Sequence, residues 1–205
     1  MSTAEKRTYT LAEYFALEEV ATQRHEYYQG NIYAMAGGSA AHNRIVSNIH
    51  WRLAQQLEGK PCLPNTSDVL VNADSLYTYP DVSVVCPPIE RERGPIETIL
   101  NPRVLIEVLS ASTERYDRNR KFQHYHNVAS VQEIVLVQQD APIVEHYARG
   151  EDGSWILTTT TSLEGEVELT SIACQLTLQK IYANVEFPTA PFEVVPPPFP
   201  PYESP

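Results

Sequence analysis

An almost unbroken aliphatic run spans residues 102–110, Pro-Arg-Val-Leu-Ile-Glu-Val-Leu-Ser, and is typical of a buried strand. A charged, amphipathic stretch from about Ser112 to Asn127 predicts a helix, and the apolar run Glu133–Val137 predicts another strand. A strand, a helix and a strand in succession indicate a right-handed crossover between parallel strands. The expected fold class is therefore α/β (α+β), with a mixed central sheet flanked by helices.

The remaining pattern adds one long helix and several shorter elements. Apolar residues recur every fourth position from Ile45 to Leu57, which predicts a helix over Ser39–Glu58, closed by Gly59. The other predicted elements are a helix at Thr10–Val20, a hairpin at His25–Tyr28 and Asn31–Ala36, strands at Cys62–Val71 and Asp81–Cys86, a loop at Pro87–Asn101, hairpin-like runs at Ile143–Tyr147 and Trp155–Thr161, and a helix at Leu176–Tyr182.

Length and proline distribution indicate a single domain followed by a tail. With 205 residues, 42% of them hydrophobic, the chain fits one domain, which we expect to span residues 1–187. Half of the 16 prolines lie from Pro188 onward, and proline can neither donate ladder hydrogen bonds nor continue a helix. Residues 188–205 are therefore predicted to be an extended or disordered tail.

Charge and hydropathy limit the partners. The net charge of -11 argues against a broad surface that tracks phosphates, so any contact with nucleic acid must be local or helped by a divalent cation. The N-terminus has no apolar core of a signal peptide, and no apolar run reaches membrane length. We expect no membrane association and a cytoplasmic location.

The cysteines predict no cross-link. Cys62, Cys86 and Cys174 are odd in number, widely separated and without a Cys-x-x-Cys spacing, so neither a disulfide framework nor a thiolate zinc site is indicated. Core thiols in a reducing cytoplasm are the expectation.

Glu107 stands in the apolar run where another aliphatic side chain would fit. A buried carboxylate requires a partner because its desolvation costs several kcal/mol or more. Alternation along the strand puts Glu107 on the same face as Leu105 and Leu109. Asp81 opens a second apolar strand, and antiparallel pairing would bring the two acids together at a site for Mg²⁺ or Mn²⁺.

The predicted helix over residues 112–127 supplies a cation. Asp117, Lys121 and Tyr125 fall at i, i+4 and i+8 and so share one stripe. Lys121 can stand over the metal site as a compact charge that orients the attacking water and offsets the charge of the transition state. Two acids and a lysine are typical of a metal-dependent phosphodiesterase.

Four short motifs carry a resemblance to a known family. They are Arg24-His25-Glu26-Tyr27-Tyr28-Gln29-Gly30, Ala41-His42, Pro80-Asp81-Val82 and Glu107-Val108-Leu109-Ser110, together with Lys121 and Tyr125. With them the stretch 11–183 resembles the Uma-two family of restriction endonucleases, within the PD-(D/E)XK nuclease superfamily. That superfamily has lysine where this chain has Leu109, and the resemblance implies that Lys121 takes its place.

The resemblance also implies a site and partners. Asp81, Glu107 and Glu26 would lie at the metal, with the Val108 carbonyl as a further ligand and His42 lining the cleft. Arg118 and Tyr125, on the predicted helix, are expected to contact the substrate with His42. The implied substrate is nucleic acid, DNA in the first instance, and the implied assembly is a homodimer.

Other interpretations stay open at this stage. Asp81 would often be a simple strand start, Glu107 could pair with a buried arginine such as Arg103 or Arg44, and Lys121 could belong to a solvated face. Glu26 and His42 could likewise be ordinary residues of a hairpin and of a first helical turn.

The alternative function is that of a catalytically silent domain that binds nucleic acid or protein. A small-molecule metallohydrolase is the third hypothesis, and a deep enclosed pocket would favour it. A lysine packed on the cleft with the carboxylates would favour hydrolysis, whereas a solvated lysine would favour the silent domain.

Overall fold

The computed structural model describes residues 7–110 and 113–188, so the predicted tail lies outside the described residues except for Pro188. Within these segments no helix is long and apolar enough to cross a lipid bilayer. The helices are α1 (Leu11–Val20), α2 (Ala40–Leu57), α3 (Glu114–Tyr116), α4 (Phe122–Asn127) and α5 (Leu178–Ile181). The strands are β1 (His25–Tyr28), β2 (Asn31–Ala34), β3 (Leu63–Thr66), β4 (Leu70–Ala73), β5 (Leu76–Thr78), β6 (Val82–Val85), β7 (Arg91–Glu92), β8 (Thr98–Ile99), β9 (Pro102–Leu109), β10 (Glu133–Gln138), β11 (Val144–Arg149), β12 (Trp155–Thr160), β13 (Glu166–Leu169) and β14 (Cys174–Thr177).

The two long helices begin where the sequence predicts. Thr10 and Glu13 form a capping box at α1, in which the Glu13 carboxylate accepts a hydrogen bond from the Thr10 backbone N–H at 2.7 Å. At α2 the Ser39 hydroxyl accepts from the His42 backbone N–H at 3.0 Å, and Gly59 follows the helix with φ +72°. The Ser39 cap therefore fixes His42 in the first turn of α2.

Two mixed sheets make up most of the β-structure. The outer sheet has the strand order β2-β1-β5-β4-β8-β7, the central sheet has the order β12-β11-β10-β9-β6-β3, and β13 pairs with β14. In the central sheet β10 runs parallel to β9, whereas β6 runs antiparallel to it. The predicted mixed sheet and the parallel pairing of its strand, helix and strand unit are confirmed.

Strand β9 separates two cores because its side chains alternate. Its even-numbered residues from Val104 to Val108 join the apolar cluster that contains α2. Leu105 and Leu109 point the other way and pack in a second cluster with Tyr125 of α4. Glu107 belongs to this second face, as the alternation predicts.

The helical segment between β9 and β10 is not one regular α-helix. After α3 it widens into a π turn at Asp117–Lys121 and then continues as α4. Asp117 and Lys121 are only 5% and 3% exposed, so this turn directs charged side chains toward β9. Such π turns occur frequently at functional sites.

The prediction for two of the cysteines is wrong. Cys62 and Cys86 form a disulfide, whereas Cys174 is a buried free thiol as expected. The reason is strand register: β3 and β6 pair antiparallel with Leu63 opposite Val85, which brings the two flanking cysteines face to face. Their separation of 24 residues gives no hint of this pairing.

Several short strands were also missed. The strand predicted at Cys62–Val71 is two strands, β3 and β4, and the predicted loop at Pro87–Asn101 contains β7 and β8. Strand β5 was not predicted, nor was the β13–β14 hairpin before α5. Strands of two to four residues leave too few positions for a period of two to stand out.

Candidate functional site

A cleft of about 410 Å³ opens where the outer sheet, the central sheet and the π turn meet. Strand β1 supplies Glu26, the end of β9 supplies Glu107, and Asp81 precedes β6. The full lining is Glu26, Tyr33, Ala34, Met35, Ala36, His42, Asp81, Glu107, Val108, Thr113, Tyr116, Asp117, Arg120 and Lys121. The cleft therefore holds four carboxylates with one lysine and one arginine.

Glu107 is held from the helix side through one of its two oxygens. Its Oε1 lies 2.9 Å from Lys121 Nζ and accepts a 2.5 Å hydrogen bond from the Tyr125 hydroxyl. Among the described residues no hydrogen bond reaches the other oxygen, Oε2. Glu107 is 3% exposed, and its partner is Lys121, not a buried arginine.

Asp81 comes directly before β6, beside the end of β9. The antiparallel register pairs Val82 with Ile106, so Asp81 and Glu107 each follow the last registered pair, and both line the cleft. Asp81 Oδ2 accepts from the Val108 backbone N–H at 2.7 Å and lies 3.2 Å from His42 Nε2. Its Oδ1 accepts no hydrogen bond from the described residues.

Glu26 reaches the same cleft from the outer sheet. Its Oε2 accepts a 2.6 Å hydrogen bond from the Tyr116 hydroxyl, and its Oε1 accepts one from Thr78 and lies 3.4 Å from Lys121 Nζ. Asp117 Oδ1 lies 3.8 Å from the same ammonium. Lys121 is thus the cation shared by Glu26, Glu107 and Asp117.

Burial and the crowding of acids set the protonation of the site. Burial raises the pKa of Glu107 to about 8, against the opposing charge of Lys121 and with the added repulsion of Asp81. Burial also raises the pKa of Asp117, again opposed by Lys121. Burial lowers the pKa of Lys121, but Glu107 and the other acids outweigh it and hold that pKa well above the ordinary value.

His42 responds to the same charges. Burial of the ring lowers its pKa, but the hydrogen bond and the charge of Asp81 outweigh that effect, so the pKa of His42 is raised. A protonated ring would donate to Asp81 and offset part of the negative charge at the cleft.

The donor set fits a hard divalent cation. Asp81 Oδ1 and Glu107 Oε2 accept no hydrogen bond from the described residues, and carboxylate oxygens are the ligands that Mg²⁺ and Mn²⁺ prefer. Among the described residues no three His, Cys, Asp or Glu side chains form a ready-made metal cluster. Mg²⁺ does not need one, because it is commonly held by one or two carboxylates with water and substrate phosphates.

The structure brings together most of the residues singled out in the sequence. Glu26, His42, Asp81, Glu107 and Lys121 all line the cleft. The two other candidates do not line it: Tyr125 is 1% exposed behind Glu107, and Arg118 is paired with Glu114 at 2.7 Å and Glu145 at 2.5 Å.

Sequence reasoning gave no site role to Thr78, Tyr116, Asp117 and Arg120. Asp117 was placed on the helical stripe with Lys121, four residues before it, but was not assigned to the site. Tyr116 and Thr78 reach Glu26 across 90 and 52 residues of chain, and neither stands in a recognisable pattern.

Comparisons with known proteins agree on a family. The sequence profile of the Uma2 family, described as "Putative restriction endonuclease", matches residues 11–181, and the chain belongs to this family. Two relatives come from Synechocystis sp. (strain ATCC 27184 / PCC 6803 / Kazusa). "Uncharacterized protein slr1290" is 36% identical over 85% of this chain and 92% of its own length. "Uncharacterized protein sll1609" is 34% identical over 82% and 96%.

A solved structure supports the fold. It is described as "a putative nuclease belonging to DUF820 from Anabaena variabilis ATCC 29413", and it superposes with a TM-score of 0.70 at 21% identity. The match covers 84% of this chain and 97% of that one. The fold is therefore restriction-endonuclease-like, as the sequence predicts.

Proposed function

We propose that this protein is an endonuclease that hydrolyses phosphodiester bonds of DNA with the help of Mg²⁺ or Mn²⁺. The observation that carries the proposal is the arrangement of Glu107. One of its oxygens is fixed by Lys121 and Tyr125, and the other accepts no hydrogen bond from the described residues, in an open cleft that Asp81 also lines. Family membership supports the same class of reaction.

In this proposal Asp81 and Glu107 would hold the cation, with Glu26 and the Val108 carbonyl near it. When bound, the cation lowers the pKa of a water molecule and offsets negative charge on the phosphate. Tyr125 and Lys121 fix the orientation of Glu107, and His42 and the Val108 N–H fix that of Asp81. The two carboxylates are thereby pre-organised before substrate arrives.

Lys121 has the more direct role. Its ammonium is buried among carboxylates at the floor of the cleft, so it keeps its proton and its position. A compact, fixed charge beside the reacting phosphate stabilises the negative charge that develops as the bond breaks. This burial also favours hydrolysis over the silent-domain hypothesis.

Two further elements belong to the proposal. A homodimer would place two such clefts on one duplex, one for each strand. A cytoplasmic location would give access to DNA, although the Cys62–Cys86 disulfide is a feature more common in oxidising compartments.

A plasmid assay tests the proposal. Purified protein is incubated with supercoiled DNA and Mg²⁺ or Mn²⁺, and nicked and linear products are measured, with a structured RNA in parallel. Cleavage should require the metal, and it should be lost in Asp81→Asn and Glu107→Gln. The matched control is Asp68→Asn, which changes a carboxylate whose side chain is 78% exposed. Metal-dependent binding of DNA without any cleavage would instead favour the silent domain.

A further inference from the structure

A second hollow adjoins the cleft on the helix side. It has a volume of about 480 Å³, and its lining residues are Arg115, Tyr116, Asn119 and Arg120. We name this surface the arginine hollow. Tyr116 and Arg120 also line the cleft, so the two concave surfaces share a wall. A ligand long enough to leave the cleft on this side would enter the arginine hollow.

The two arginines of this hollow are free to bind an anion. Arg115 and Arg120 are exposed and make no ion pair with any of the residues that the structure describes. Arg118, on the same helical segment, differs because Glu114 and Glu145 already neutralise it. In a chain with a net charge of -11, two unpaired arginines beside an acidic cleft form a local positive surface.

The π turn explains how one short segment serves both surfaces. Lys121 points inward and is 3% exposed, whereas the preceding Arg120 lies at the rim with its guanidinium carbon 5.0 Å from the centroid of the Tyr28 ring. This stacking holds the Arg120 side chain beside the cleft while leaving its N–H edges available. Asn119 is anchored by a 2.7 Å hydrogen bond from its Nδ2 to the Arg115 carbonyl.

We propose that the arginine hollow binds the phosphate backbone of a DNA duplex whose scissile phosphate lies in the cleft. The inference rests on the proposed function and adds the surface that recognises the substrate. The four carboxylates of the cleft repel a polyanion, so the attraction that retains DNA must come from charge just outside it. Arg115 and Arg120 supply that charge, with a planar fork that matches phosphate oxygens. Arg118, which the sequence had indicated for this role, is not needed.

The test is DNA binding measured in the absence of turnover. In a Glu107→Gln background, a fluorescein-labelled 20-base-pair duplex is titrated by anisotropy between about 50 and 200 mM NaCl, with and without the pair Arg115→Gln and Arg120→Gln. Loss of two phosphate contacts should raise Kd by about tenfold or more and reduce the slope of log K against log salt by about 1.8. The matched control is the pair Arg91→Gln and Arg93→Gln, which removes the same charge from exposed residues that line neither surface.

Each outcome decides the inference separately from the proposed function. If the two pairs of substitutions change Kd and salt slope equally, or if the parent binds no DNA, the inference is wrong. If poly-glutamate displaces the duplex at equal charge concentration, the surface recognises acidic polymers in general and the inference also fails. If the hollow variant alone loses binding but the unmutated protein cleaves nothing, the nuclease proposal fails and the DNA surface stands. If the unmutated protein cleaves DNA but the hollow variant has no selective effect on binding, the nuclease proposal stands and the inference about the arginine hollow fails.

Discussion

Two buried glutamates on adjacent parallel strands of the central sheet have opposite surroundings. Glu133, at the start of β10, is 1% exposed, and each of its oxygens has a donor: the Ser171 backbone N–H at 2.6 Å and His146 Nε2 at 2.8 Å. Glu107, toward the end of β9, is 3% exposed, and both of its contacts fall on the same oxygen.

The difference separates a carboxylate whose hydrogen-bonding capacity is filled from one whose capacity is partly open. Buried acids are tolerated when their hydrogen-bonding capacity is filled, and Glu133 meets that condition. Glu107 does not, and it also lies near Asp81 and Asp117, which raise its pKa further. An under-satisfied acid kept among other acids costs stability, and such a cost is typical of a site that awaits a cation or substrate.

The largest expected effect comes from removing the Lys121 ammonium that contacts Glu107. Lys121→Ala should reduce turnover by about a hundredfold or more, about 2.7 kcal/mol, with little change in DNA affinity, because the ammonium acts mainly in the transition state. Lys121→Arg should rescue little, since a planar fork does not fit the place of a compact ammonium. Single-turnover cleavage rates and the Kd for DNA, measured separately, show whether the loss is in turnover or in affinity.

Lys180→Ala is the control for that experiment, since Lys180 is exposed on α5, away from the cleft. Equal losses of affinity and turnover in Lys121→Ala would mean that Lys121 only helps to bind the substrate. The silent-domain hypothesis would then be preferred.

The second prediction concerns the satisfied glutamate. Glu133→Gln cannot accept from both the Ser171 N–H and His146, so it should lower the free energy of unfolding by about 1–3 kcal/mol. Cleavage by the folded variant should be unchanged, because Glu133 does not line the cleft. Urea unfolding followed by circular dichroism measures the loss. A variant as stable as the parent would remove the contrast on which the comparison of the two glutamates depends.

The sequence predicted the Glu107 side of the site well, because local rules govern it. Alternation along β9 fixes the face of Glu107, and the spacing of Asp117, Lys121 and Tyr125 fixes the helical stripe that meets it. Pairing of β6 with β9 then brings Asp81, which precedes β6, to the same cleft. Each step involves neighbours along the chain or adjacent strands.

The side contributed by the outer sheet could not be predicted in the same way. The contacts of Glu26 with Thr78 and Tyr116 depend on how two sheets and a helix pack, which no local pattern encodes. Arg118 and Arg120 illustrate the same limit: both are arginines of one turn, and Arg118 is neutralised by Glu114 of its own segment and by Glu145 of the distant strand β11. Residue type alone therefore does not show which arginine is ion-paired.

The third prediction uses a divalent metal to distinguish Glu107 from Glu133. Of these two glutamates only Glu107 has an oxygen without a donor among the described residues, so millimolar Mg²⁺ or Mn²⁺ should stabilise the native state, by about 1.4 kcal/mol at ten times Kd. For a chain of this size that is a rise in Tm of about 3–6 °C. Glu107→Gln should abolish the rise, whereas Glu133→Gln should retain it. A thermal scan of the three proteins with and without metal is sufficient, and a normal response in Glu107→Gln would show that Glu107 is not a ligand.

The last prediction concerns the effect of pH on the stability of the metal-free protein. Burial raises the pKa of Glu107 to about 8, above the ordinary value of 4.5, so between those values the folded state holds a proton that the unfolded state has released. Stability from this group is therefore complete below about pH 4.5 and is lost as the pH rises toward 8. The opposing charge of Lys121 is already part of this raised pKa, and the slope cannot exceed about 1.4 kcal/mol per pH unit, the limit for one proton. Unfolding free energies at pH 5.5, 6.5 and 7.5, chosen at about one-unit steps, should fall less in Glu107→Gln than in the parent, while Glu133→Gln should retain the parental slope. A parental slope in Glu107→Gln would assign the pH response to another group and weaken the distinction between the two glutamates.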